Sequence, residues 1–241
     1  MKRFWKIASV DQSEGGWRVL LDGRPIRTQA GGAPQVVPTR AAAVLLAREW
    51  ETQGEDIVPE AFVLRDLVDY AIDSVAAAPG ATIDTLLRYA ETDTLCYRAD
   101  PDEPLHKRQW SVWEPLVTAF EAREGVKLER VSGIVHRPQP DETLAALRAR
   151  LERFDPIMLA ALEVMTSLSA SLCVGLSALD PAADAQALWD AAELEEAWQV
   201  ELWGSDDLAQ QRRDKRRADF LRAAEFARSI TEADRSTTAS A

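Results

Sequence analysis

The spacing of apolar residues changes character once along this chain. Over the first forty residues, short apolar runs are punctuated by turn formers. FWKIASV and WRVLLDG flank the turn-rich DQSEGG, Asp22-Gly23 marks a tight turn into a second short strand, and GGAP precedes QVVPT. This pattern predicts a meander of short antiparallel strands. From Thr39 onward the period becomes helical. Thr39 is placed to cap a helix through Ala41 to Gln53, with Val44, Leu45 and Ala47 apolar and Trp50 one turn later.

VLRDLVDYAIDSVAA then repeats its apolar positions at helical spacing and is stopped by Pro79-Gly80. Thr82-Ile83-Asp84 opens the next helix, through LLRYAETDTLCY. HKRQWSVWEPLVTAFEAREG predicts a helix that accommodates Pro115, and KLERVSGIVHRPQP reads as extended chain or loop. Asp141 caps DETLAALRARLERF. Asp155-Pro156 opens a long apolar helix from Ile157 to about Leu179, whose small residues in LSASLCVGL suit close helix packing. Asp180-Pro181 separates it from a Trp-rich helix ended by Gly204-Ser205, and one more helix follows. The expected fold class is α+β: a small β-rich α+β domain over 1–80, a larger all-helical domain over 81–232, and a disordered tail over 233–241.

The segment Glu193 to Gly204, ELEEAWQVELWG, departs from ordinary amphipathic patterning. Steps of three and four give one stripe of Leu188, Ala191, Glu195, Trp198 and Leu202. The neighbouring stripe is Trp189, Ala192, Glu196, Gln199 and Trp203. Carboxylates therefore sit within a Trp-rich face, where an ordinary helix keeps its acids on the opposite side. Two readings fit. The glutamates edge a core stripe, which spacing alone favours, or the face grips another protein, since aromatics with a few placed charges dominate interface hot spots.

Charge narrows the partners. A net charge of −12 disfavours nucleic acid and anionic membrane surfaces, both of which need basic patches. The one basic run, Arg212 to Arg217, is offset by Asp206, Asp207, Asp214 and Asp219 and reads as a solvated helix face. The longest uncharged stretch, Val164 to Leu179, is 16 residues, short of the roughly 20 that a membrane span needs. Cys96 and Cys173 lie among apolar residues and read as buried free thiols of a reducing compartment. No phosphate loop, dinucleotide fingerprint or nucleophile elbow occurs, and His106 and His136 stand apart from other ligands. Zinc, haem and histidine-based triads are therefore poorly supported, and no cofactor or metal site is expected; paired acids such as Glu195 and Glu196 could in principle hold a divalent metal, but adjacent helix positions point about 100° apart.

Five stretches, in order, carry a resemblance. RFWK, GWRVLLDGRPIRT, REWETQGEDIVPEAFVL, YAETDTLCYRAD and LEEAWQVELWGSD are similar to the assembly chaperones of the ATP synthase catalytic sector that attend the alpha subunit. The resemblance spans Arg3 to about Arg213. It implies two domains and no catalysis. It also implies a chaperone that binds the free alpha subunit and prevents its self-association until the beta subunit takes its place.

On the matching motifs, Trp50 is the tryptophan of REW. The motif acid is Glu195 or Glu196, with alignment favouring Glu195, and Gln199, Trp203 and Gly204 complete that motif. The resemblance together with the Trp-rich face makes Glu195, Glu196, Trp198, Gln199 and Trp203 the expected partner-binding residues. Trp50 and Trp17 are expected to be structural, at a junction of helix and strands. The expected state is a cytoplasmic bacterial protein, monomeric when free, because no transit-peptide pattern opens the sequence. The alternative is a metal-dependent enzyme of unknown substrate built on acidic residues in the helical part.

Overall fold

In the computed structural model, residues 1–133 and 136–238 are described, with side chains through Thr231. The chain divides into two compact units. One comprises Met1–Pro79, Asp155–Ala161 and Arg222–Ala241, and the other Gly80–Phe154 and Leu162–Leu221. A single boundary drawn near residue 80 does not anticipate the two later returns to the first unit.

The first unit opens with β1 (Ala8–Ser13), β2 (Gly16–Leu21) and β3 (Arg24–Pro25), antiparallel in that order. Ala8 pairs with Leu21 and Ser13 with Gly16, so the hairpin turn is Glu14-Gly15 and most of the expected DQSEGG loop belongs to strand. Asp22 (φ 47°) and Gly23 (φ 81°) turn the chain into β3, both left-handed as a type I′ turn requires. Gly16 is required by a different constraint. Trp17 and Val37 exchange backbone hydrogen bonds of 2.8 Å beside it, and a Cβ at Gly16 would lie 2.2 Å from the Val37 carbonyl oxygen.

Helix α1 (Arg40–Glu51) packs on β1 and β2 through Ala42, Ala43, Leu46, Ala47 and Trp50; Val44 and Leu45 are only half-buried. Thr39 caps it as expected, its Oγ1 accepting from Ala42 N at 3.0 Å. The first turn of α2 (Val63–Asp73) is capped from outside. The buried Glu49 of α1 accepts from Leu64 N at 2.8 Å and Arg65 N at 2.9 Å. Two carboxylates of α2 hold the loop between β3 and α1: Asp69 accepts from the Gln35 amide at 2.7 Å and Asp73 from Thr28 Oγ1 at 2.8 Å.

The second unit contains α3 (Pro79–Glu91) from Gly80 on, α4 (Pro104–Glu124), α5 (Asp141–Leu151), α7 (Leu172–Ser177), α8 (Ala185–Ala192) and α9 (Leu194–Trp203). Helices α6 (Pro156–Ser169) and α10 (Asp207–Thr238) contribute residues to both units. The tail expected over 233–241 overlaps the last turns of α10, and residues 239–241 lie outside the described residues. The helical unit is not purely helical, since β4 (Tyr97–Arg98) and β5 (Val131–Ser132) form a two-stranded parallel pair.

Several helix boundaries differ from the sequence expectation: the helix expected through Tyr97 ends at Glu91, Asp141 lies inside its helix with Pro140 at the cap, and three more differences have a clear cause. Pro79 starts α3 instead of stopping its predecessor, because proline fits the first turn, where a backbone N–H has no helical partner. The long helix expected over 157–179 breaks at Ala170, whose φ is 50°. The buried Asp93 stabilises the break. It accepts from Ser171 Oγ at 2.7 Å and Cys173 N at 2.9 Å, while Ser171 Oγ also caps α7 through Val174 N at 3.0 Å. After the break, Gly175 lies so close to α6 that a Cβ would sit 2.5 Å from Thr166 Oγ1, so the small residues serve close packing across the kink. The Trp-rich helix is also two pieces. Glu193, with φ −89° and ψ 13°, ends α8 and starts α9. Its carboxylate pairs with Arg213 at 3.2 Å and Arg216 at 3.5 Å.

Candidate functional site

The break at Glu193 reorganises the face read from the sequence. Leu188, Trp189, Ala191 and Ala192 on α8 are core residues, whereas α9 buries only Leu194. The stripe is therefore not one continuous surface; it passes from core to solvent. On α9 the expected site residues separate onto two faces. Glu195 and Trp198, one turn apart, are half-buried, whereas Glu196, Gln199 and Trp203 are exposed along the neighbouring line. Trp203 is 78% exposed, Leu202 56% and Leu208 just beyond the helix 65%, three large apolar side chains close in sequence and held in water.

Helix α4 packs against α9 and supplies the groups that position it. Gln109, fully buried, donates from Nε2 to Glu195 Oε1 at 2.5 Å and accepts from Ala99 N at 2.8 Å, which fixes its orientation. Burial raises the Glu195 carboxyl above its usual range, and the Gln109 bond opposes the shift. Among the described residues Glu195 has no cationic partner. Arg108, adjacent to Gln109 on α4, meets α9 farther along. It makes a two-pronged ion pair with Glu201, at 2.6 and 2.8 Å, and lies 5.5 Å from the centre of the Trp198 ring. This pair raises the Arg108 pKa and lowers that of Glu201. Trp198 is thus covered by an internal cation, and Trp203 is the freer aromatic.

The interior behind the site is firmly built. Trp113 of α4 is fully buried and donates to the Ala191 carbonyl at 2.7 Å, tying the end of α8 to α4. Gln109, Trp113, Val117 and Phe120 follow one another at helical spacing on the inner face of α4. That spacing was available in the sequence and would have singled out Gln109 as a polar residue on an apolar line. Arg108 and Glu201 carry no such signal, because both are ordinary surface charges until the two helices meet.

Trp50 and Trp17 lie in the first unit. Trp50 is buried, its ring 5.0 Å from Trp5 and 4.6 Å from Phe62 between centres. Trp17 is half-buried on β2, with Arg40 6.0 Å from its ring centre. The alternative of an acidic metal site needs carboxylates that converge. Glu195 binds Gln109 while Glu196 faces solvent, and among the described residues no group of three ligating side chains comes together. No described helix is long and apolar enough to cross a membrane.

Comparison with known proteins agrees on one lineage. The family model described as ATP12 chaperone protein matches residues 2–121. The mitochondrial atp12 protein of Schizosaccharomyces pombe is 28% identical over 215 residues, covering 85% of this chain and 74% of that protein. The crystal structure of Atp12 from Paracoccus denitrificans superposes with a TM-score of 0.86 at 34% identity, covering 95% of this chain and 98% of that one. The Atu1473 protein of Agrobacterium tumefaciens superposes with a TM-score of 0.90 at 38% identity, covering 95% of this chain and 86% of that one.

Proposed function

The chain belongs to the ATP12 chaperone family of ATP synthase assembly, and on that premise we propose that it binds the free alpha subunit through the outer face of α9. One observation carries the choice of face. The highly exposed Trp203 and Leu202 share one short helix with a half-buried carboxylate two turns away, Glu195, that has no cation among the described residues. An interface hot spot combines such features: a large aromatic anchor, and a partly desolvated charge awaiting an opposite one.

The physical task is one of covering. A subunit destined for an alternating ring exposes a large apolar interface before it is assembled, and such a patch self-associates unless masked. The chaperone masks it by binding alone, as a cytoplasmic monomer, with no catalytic step. Its contact with alpha overlaps the surface that beta later covers, so beta displaces it without an energy source.

Glu195→Lys and Trp203→Ser test the face. Breaking a desolvated charge pair at an interface costs about 2–5 kcal/mol. Tagged protein carrying either substitution should therefore recover little or no alpha subunit, with the melting temperature unchanged for Trp203→Ser and a few degrees lower for Glu195→Lys, which leaves the buried Gln109 amide without its acceptor. Undiminished recovery with both variants refutes the α9 assignment. A large fall in the melting temperature of Glu195→Lys alone would make that residue structural. Displacement is checked by size-exclusion chromatography of chaperone, alpha and beta together. A chaperone retained in the assembled hexamer would overturn the shared surface.

A further inference from the structure

The first unit contains a cleft of about 610 Å³ that the α9 reading does not use. Its volume falls in the range of about 300–1,000 Å³ typical of ligand pockets. Trp5, Trp50 and Phe62 form its aromatic wall. Met1 and Phe4 also line it, 81% and 67% exposed. Ile7 and Val58, within two positions in sequence of lining residues, are exposed as well.

Two features specify what would fit. The first is charge. The cleft is lined by three arginines, Arg24, Arg27 and Arg65, against a single acid, Asp22, in a protein of net charge −12. The Asp22 carboxylate is already engaged by the backbone N–H groups of Lys6 and Ile7, at 2.9 to 3.1 Å. Arg65 pairs with Asp66 and lies 4.0 Å from the centre of the Phe62 ring, and Arg27 donates to the Gly32 carbonyl. Arg24 is exposed and has no ion-pair partner among the described residues. The second feature is an unmet donor pair. Trp5 is 4% and Trp50 9% exposed, and the indole N–H of each is buried with no acceptor. Buried donors are nearly always paired, so two unpaired indole N–H groups on residues that line the cleft favour an occupant that brings oxygen acceptors.

We propose that this cleft docks a segment of a partner polypeptide in which aromatic or aliphatic side chains alternate with aspartate or glutamate. The apolar anchors fill the Trp5–Trp50–Phe62 wall, and the carboxylates meet Arg24 and its neighbours. An anionic membrane offers related chemistry, but a body of net charge −12 is repelled by it, whereas a short peptide meets only the local cationic field. The site is separate from α9 and does not depend on the identity of the partner bound there.

The test uses the full chain labelled with nitrogen-15 and three blocked hexapeptides. Acetyl-Asp-Leu-Glu-Phe-Asp-Leu-amide is the probe. The controls replace its acids by lysine, or its apolar residues by serine. The indole N–H resonances of Trp5 and Trp50, assigned with Trp5→Phe and Trp50→Phe, should shift saturably with the probe and with neither control. Phe4→Ser and Arg24→Glu, both at exposed positions, should each weaken binding by at least about threefold without changing the melting temperature. Glu195→Lys should leave the response intact, which separates this site from α9. The proposal fails if no shift occurs at millimolar probe, or if the lysine peptide binds as well. It also fails if phosphatidylglycerol vesicles capture the chain while the peptide does not, or if the resonances move on concentrating the protein alone, which would assign the cleft to a second copy of the chain.

Discussion

Asp93 provides a test of the physics at the α6–α7 break. The residue is 1% exposed, and its carboxylate accepts from Ser171 Oγ, Cys173 N and Leu95 N. Burial pushes its pKa up from 3.8 to about 6, even though these donors pull it down. The fold therefore binds this proton more tightly than the unfolded chain does. Its contribution to stability is fully present below pH 3.8 and is lost as pH rises through about 6. At about 1.36 kcal/mol per pH unit, that interval amounts to about 3 kcal/mol. Asp93→Asn keeps the shape and cannot ionise, so whatever it costs in hydrogen bonding is constant with pH. Urea unfolding of both proteins should be followed from about pH 3.5 to about pH 7.5, stepping over the region of lowest net charge, where proteins precipitate. The stability of wild type relative to the variant should fall by about 3 kcal/mol across the range, or about 6–12 °C in melting temperature. Other carboxylates titrate alike in both proteins and cancel in the difference. A flat difference, or one that rises with pH, would refute the account of a costly buried charge at this break.

Trp50→Arg buries a guanidinium beside Trp5 and Phe62 and should cost several kcal/mol, about 3 or more, giving insoluble or poorly folded protein. Soluble protein with native circular dichroism that no longer binds its partner would contradict that structural role. Glu49→Ala strips the acceptor from Leu64 N and Arg65 N and should destabilise by about 2–4 kcal/mol in thermal melts, less whatever is regained by no longer burying the carboxylate. A melting temperature within a degree of wild type would show that α2 does not need its cap. Gly16→Ala places a methyl group 2.2 Å from the Val37 carbonyl and should lower stability by about 2 kcal/mol or more. A melt indistinguishable from wild type would mean that the Trp17–Val37 pairing yields at no cost.

The α+β division and most helices were legible because they depend on local signals. The Asp22-Gly23 turn, the Thr39 cap and the apolar period of α2 each lie within a few neighbouring residues. The misplaced boundaries depended on distant partners. Nothing in LSASLCVGL announces a kink at Ala170, because the residue that holds it, Asp93, is 78 positions from Ser171 in sequence. The division of the Trp-rich helix likewise depends on Glu193 meeting arginines of α10. At the candidate site, the mixture of acids and tryptophans was visible, but its sorting was not. Glu195 and Trp198 turn toward α4, whereas Glu196, Gln199 and Trp203 turn to water, and only Gln109 and Arg108 decide which is which.

Helix α9 has ten residues and a single buried side chain. An isolated helix shorter than about 12–15 residues is marginal in water, so this one persists through its lateral clamps to α4 and not through its own length. Such an element is expected to open on its own, well below the free energy of global unfolding. Its amide hydrogens should exchange with deuterated solvent far sooner than those of α4 around Trp113. A client seated on its outer face would then register as slowed exchange in that one helix, a footprint readable from the unaltered protein.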